Sequence, residues 1–161
     1  MAWTNIFPAR KYTKFISWDI LVTIAAAFAI SKAMQNSGMA DNVASWAVEL
    51  SREHGAYVLL GVVYLITAIA TELMTNNAAA ALAFLIAMSI AQHLGVSPMP
   101  FIVSICVAAS ASFCTPIGYQ TNLIVQGVGN YRFSDFVKVG LPLSLITMAL
   151  SLWLIPIFWP F

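Results

Sequence analysis

The chain has 161 residues, 61% of them hydrophobic and only 8% charged. A soluble domain carries roughly a quarter charged residues, so the composition excludes an ordinary soluble core and reads as an integral membrane protein. The net charge of +1 gives no basis for nucleic-acid binding.

Residues 1–14 include Pro8, Arg10, Lys11 and Lys14. They lack a short apolar core followed by a small-residue cleavage site, so they read as a lead-in loop and not as a signal peptide. The first apolar segment runs from about Phe15 to Met34, roughly 20 residues, enough to cross a hydrocarbon core of about 30 Å. Trp18 and Asp19 stand at its entrance, where an amphipathic ring and a charge are tolerated. QNSG at 35–38 ends it. Residues 41–54 then place Val43, Trp46, Ala47, Leu50 and His54 at three-to-four spacing, with Asp41, Glu49, Arg52 and Glu53 on other faces. That pattern predicts a short amphipathic helix lying at the membrane surface.

Two further apolar segments, 56–73 and 78–94, flank the polar block Thr71–Asn77. They fit either two full spans or the arms of a re-entrant hairpin. Irregular backbone at membrane depth survives only where protein buries it or a wet cavity faces it. The run Ala78–Ala81 reads as a close-packing surface. GVSPMP at 95–100 is a turn.

The fourth segment starts near Phe101 and is expected to break at 114–121, because Pro116 removes a backbone donor and Gly118 loosens the chain. Cys106 and Cys114 lie in it without CxxC spacing or a nearby histidine cluster, and read as buried small hydrophobes. A helix resumes over 122–128, GNYRFSDFVK at 129–138 reads as a loop, and a last span covers 139–158 with an aromatic exit at Trp153, Phe158, Trp159 and Phe161. His54 and His93, at segment ends, read as interfacial groups.

Arg10, Lys11, Lys14, Arg132 and Lys138 fall on one side of this topology, and Lys32 and Arg52 on the other. The bias places the N-terminus in the cytoplasm, the C-terminus outside and the 71–77 hairpin rooted on the outer side. The expected fold is all-α, one membrane domain over 1–161.

The two polar blocks carry the functional reading. Glu72, Thr71, Thr75, Asn76 and Asn77 interrupt one apolar run; Thr115, Tyr119, Gln120, Thr121 and Asn122 interrupt another. Such groups cost several kcal/mol at membrane depth unless paired or wetted. Paired breaks in apolar helices point to a transporter binding site. A serine–histidine, HExxH or paired-aspartate arrangement is missing at that depth, which disfavours an intramembrane enzyme.

At TELMTNN (71–77) and TPIGYQTN (115–122), with GNYRFSDF following, the chain resembles the divalent anion:sodium symporter family of the ion transporter superfamily, which includes citrate carriers. The resemblance covers nearly the whole chain and corresponds to the C-terminal half of an inverted repeat. It implies a re-entrant helical hairpin tipped by a Ser-Asn-Thr-like triplet, here Thr75-Asn76-Asn77, and a transmembrane helix broken at Thr115 and Pro116. Asn77 stands where many members have Thr, and the break lacks a proline pair. Both variants look like the branch associated with sulfate uptake.

The resemblance further implies sodium as coupling ion, held by Thr71, the Met74 carbonyl, Asn76 and the Gly118 carbonyl. A small divalent anion, sulfate or a dicarboxylate, would take donors from Thr75, Asn76, Asn77, Tyr119, Gln120, Thr121 and Asn122. Glu72 reads as a structural partner of the hairpin, since the family's ligands lie elsewhere; a proton or sodium role is the other reading. The expected partners are the lipid bilayer of the plasma (inner) membrane, the missing N-terminal repeat, and a second copy in a homodimer of the complete transporter. The competing expectation is a membrane-embedded assembly or regulatory fragment without transport of its own.

Overall fold

The computed structural model describes residues 18–39, 42, 45, 46, 49 and 55–161. The lead-in expected over 1–14 lies outside the described residues, as does most of the amphipathic helix expected over 41–54. Among the described residues, the helices whose bounds are defined are, in chain order, α1 Trp18–Asn36, α2 Gly55–Leu73, α3 Asn76–Leu94, α4 Met99–Ser110, α5 Gln120–Gly129 and α6 Phe133–Phe158. Among the described residues there is no strand. α2, α3 and α6 are long and apolar enough to cross a membrane.

The local chemistry explains the boundaries. α2 and α3 are joined by Met74 and Thr75 alone, so they form a tight antiparallel hairpin. α3 ends where Gly95 takes the left-handed conformation (φ 65°) and Val96 N–H donates to Ala91 O, a glycine cap that satisfies the last carbonyls. Asn130 (φ 51°) ends α5 in the same region. α6 starts earlier than the sequence pattern suggests. Asp135 Oδ2 accepts from Arg132 N–H at 2.9 Å while Asp135 N–H donates to Arg132 O. An acidic group reciprocating at a helix start is favourable, and it draws 133–138 out of the expected loop. Pro142 and Pro156 are carried inside α6.

α2, α3 and α4 pack on each other; α1 lies against α3, and α6 against α4 and α2. The core joins Leu59, Leu60 and Val63 of α2 to Ala83, Ala87, Ile90 and Ala91 of α3, with Phe101 and Ile105 of α4 and Ile155 of α6. Ala79, Ala83, Ala87 and Ala91 recur every fourth residue on α3 and are all buried. Lipid is as apolar as leucine, so close backbone approach through small residues holds such helices together.

α2 and α4 run in the same direction. At one end Phe161 meets Tyr57 and Phe101 edge-on, at 5.2 and 5.6 Å between ring centroids. At the other end Thr71 of α2 reaches Ala109 of α4.

The expected break falls earlier than Pro116. α4 stops at Ser110, and Ala111 already leaves helical geometry (φ −92°, ψ 45°). Residues 111–119 cross the end of the α2–α3 hairpin before α5 begins. Cys106 departs from expectation too. It is exposed, because its face of α4 is uncovered; Cys114 is half-buried with Sγ 3.4 Å from Ser144 Oγ, and both thiols are free.

α6 touches the break through Gly140. A Cβ there would collide with the carbonyl of Phe113 and with the Cα of Cys114. Replacing Gly140 with Leu is expected to destabilise the fold by about 1–3 kcal/mol, the usual cost of overpacking. Thermal unfolding in detergent followed by circular dichroism measures this, and an unchanged midpoint would mean that α6 does not seat on the break.

Candidate functional site

The hairpin tip and the break meet at the ends of four helices. α2 ends at Leu73 and α4 at Ser110, so two carbonyl-rich termini converge. α3 begins at Asn76 and α5 at Gln120, so two amide-rich termini open nearby. Carboxyl ends of helices favour cations and amino ends favour anions.

Three of the four residues expected around a cation are brought together. Thr71 is fully buried, and its Oγ1 donates to Ala109 O at 2.7 Å. One atom of the Asn76 side-chain amide lies 2.9 Å from Thr71 Oγ1, 3.2 Å from Ala109 O and 3.3 Å from Gly118 O. This amide has two settings. With nitrogen inward, it donates to the surrounding oxygens and the protein satisfies itself. With oxygen inward, four oxygens face one another and the Thr71 hydroxyl is the one donor among them. Met74, the fourth expected residue, occupies the hairpin turn, its amide tied to Ala70 O. Ala109 was not legible in the sequence, since it contributes only a backbone carbonyl.

Gly118 is where this convergence is tightest. A Cβ added there would strike Ser112 Oγ and sit 3.0 Å from Thr71 O. Ser112 Oγ itself donates to Thr71 O at 3.3 Å.

The residues expected to hold an anion are distributed along the same edge. Thr75 caps α3, its Oγ1 accepting from Ala78 N–H at 3.4 Å. Thr75 and Asn77 are exposed, as are Tyr119, Gln120 and Thr121 at the start of α5. Tyr119 caps α5 without a side-chain hydrogen bond. Asn122 differs: its Nδ2 donates to Ser112 O at 3.0 Å and to Thr115 O at 3.1 Å. Both of its amide hydrogens are therefore used inside the break. Pro116 is buried at the middle of the break and Thr115 half-buried beside it. Glu72 faces the break as well, with Oε1 accepting from Cys114 N–H at 2.9 Å. No group of three or more His, Cys, Asp or Glu capable of holding a metal ion occurs among the described residues.

A helical hairpin whose tip meets an interrupted helical segment, beside helices of membrane-spanning length, is the arrangement that points to the membrane transporter class. Comparison with known proteins agrees. The chain belongs to the citrate transporter family, whose profile matches residues 1–160, within the divalent anion:sodium symporters. An uncharacterized transporter of Synechocystis sp. is 43% identical over 131 residues, covering 81% of this chain and 21% of that protein. The probable sodium/sulfate cotransporter 3 of Chlamydomonas reinhardtii is 37% identical over 94% of the chain and 17% of its own length. The Na(+)/citrate cotransporter of Rattus norvegicus is 28% identical over 83% of the chain and 23% of its own length. The chain thus spans about a fifth of the curated relatives it matches.

The geometry makes one requirement at the site. Gly118→Ala should displace the Gly118 carbonyl from Asn76 and lower the unfolding midpoint, whereas Gly127→Ala, with open space around it, should leave the midpoint unchanged or slightly raised. Thermal scans of the two variants side by side test this; equal midpoints would contradict the packing at the break.

Proposed function

We propose that this chain is the C-terminal half of a sodium-coupled carrier for a small divalent anion, sulfate or a dicarboxylate. The observation that carries the reading is the cluster of Thr71 Oγ1, Asn76, Gly118 O and Ala109 O at the end of two helices. Its oxygens are uncharged, and carbonyl-rich helix ends surround them, which suits a monovalent cation. The Met74 carbonyl, at the neighbouring turn, completes the proposed sodium set. The likeness to sodium/sulfate and Na(+)/citrate cotransporters supports sodium as the coupling ion.

The anion would lie against the amide-rich starts of α3 and α5, taking donors from Thr75, Asn77, Tyr119, Gln120 and Thr121. Asn76 joins the two sites: an amide that turns its oxygen to sodium turns its nitrogen toward the anion. Asn122 braces the break in this reading, because its donors are already committed. Neutral donors hold a divalent anion without a fixed cation, so release follows once sodium leaves. The greater likeness to sulfate cotransporters (37% against 28% for the citrate carrier) supports sulfate.

The hairpin is proposed to be re-entrant. Its tip reaches no further than the end of α4, a helix of 12 residues or about 18 Å. We place the N-terminus in the cytoplasm and the C-terminus outside, following the basic residues. The N-terminal repeat supplies the other half of the site, and the complete carrier is a homodimer in the plasma (inner) membrane.

Radiolabelled sulfate and succinate uptake into proteoliposomes tests the proposal, using the complete carrier with and without an inward sodium gradient. Uptake should require the gradient. Asn76→Ala should raise the half-saturating sodium concentration by about tenfold, the effect of one lost ligand, and Thr75→Ala should raise it through weakened binding of the anion that is coupled to sodium. Sodium dependence identical to the unsubstituted carrier in both variants would refute the site. Asn77→Thr should change the ratio of sulfate to succinate uptake; an unaltered competition profile would remove Asn77 from the anion site.

A further inference from the structure

Glu72 is a carboxylate within the polar block, yet it lies off the oxygen cluster. Its contacts all run to the break. Oε1 accepts from Cys114 N–H at 2.9 Å. Its own carbonyl accepts from Thr115 Oγ1 at 3.1 Å. Thr115 Oγ1 in turn accepts from Gly118 N–H at 3.1 Å. Gly118 is the residue whose carbonyl faces Asn76 at 3.3 Å. Two routes thus run from Glu72 to the Gly118 peptide: its main-chain carbonyl is bonded to the Thr115 hydroxyl, which is bonded to Gly118 N–H, and its side chain holds Cys114 N–H, which the backbone joins to Thr115. The far side of the same loop is held by α6 at Gly140, against Phe113 and Cys114.

Glu72 acts here through one oxygen. Oε2 is buried and has no partner among the described residues. The contact to Cys114 needs an acceptor; it does not need a charge. A glutamine oxygen would accept from the same N–H at the same reach.

We propose that Glu72 is a positioning residue: its carboxylate, as a hydrogen-bond acceptor for Cys114 N–H, sets the Gly118 carbonyl at the cation site through Thr115. It does not ligate the ion. The inference rests on the cation site proposed above. It separates Glu72 from the ion-ligating role that a carboxylate in a membrane helix can take.

The experiment measures sodium binding to the full 161-residue chain in lipid nanodiscs, with radioactive sodium alone as the probe and no anion present. Four variants form two pairs. Glu72→Ala and Thr115→Val remove one arm each; Glu72→Gln and Thr115→Ser keep the acceptor or the hydroxyl. The dissociation constant for sodium should rise about five- to tenfold in Glu72→Ala and Thr115→Val, as for one lost buried hydrogen bond. It should stay within about twofold in Glu72→Gln and Thr115→Ser, since the bonding group is retained. Helix content by circular dichroism accompanies each measurement, and if Glu72→Ala yields no helical protein, the Thr115 pair together with Glu72→Gln decides. Glu72→Gln binding as weakly as Glu72→Ala, or as weakly as Thr115→Val, overturns the proposal, because charge would then be the agent. Unchanged affinity in Thr115→Val and Glu72→Ala overturns it too. Failure of the unsubstituted chain to bind sodium strikes instead at the cation site itself.

Discussion

Everything else in this structure depends on the hairpin end meeting the broken segment. Thr71 and Glu72 close α2, and both hand their backbone carbonyls to side chains of residues 112–115. Helix ends leave carbonyls without partners, and a lipid environment offers none. The break exists in a tolerable form because its hydroxyls and amides meet those carbonyls, and because its own backbone is met by Glu72, Asn122 and Thr115. Two interruptions that would each be costly alone satisfy one another. The leftover valences face Asn76, and that remainder is the candidate site.

This mutual satisfaction explains how far the sequence could be read. The polar residues were visible because they interrupt long apolar runs, and Thr71, Asn76 and Gly118 do converge. The two apolar segments flanking TNN were visible, and they form α2 and α3, but the residues alone left two full spans and a re-entrant hairpin equally open. Ala109 was not visible: a backbone carbonyl carries no residue signature, and only the approach of Thr71 selects it. The end of α4 was misplaced because Pro116 and Gly118 are obvious helix breakers, whereas the chain departs at Ala111, where nothing in the local sequence forbids a helix. Tertiary bonds to α2 make that choice. The early start of α6 has the opposite cause. The signal, Asp135 three residues after Arg132, was local but lay inside a stretch whose glycine and asparagine suggested a loop.

The surface is as informative as the core. α5 buries none of its residues, and Val128 and Val139 are 87% and 72% exposed. Large apolar side chains also cover the outer faces of α2 and α6. A bundle of this size with so much apolar area must lie in lipid or against further protein. The relatives are about four to six times longer than this chain.

The seat of Gly140 on Phe113 and Cys114 has a mechanical consequence. Peptide rests on peptide there, with no side chain to compress or rotate. A tilt of α6 would therefore press directly on the backbone of Phe113 and Cys114 in the crossing loop.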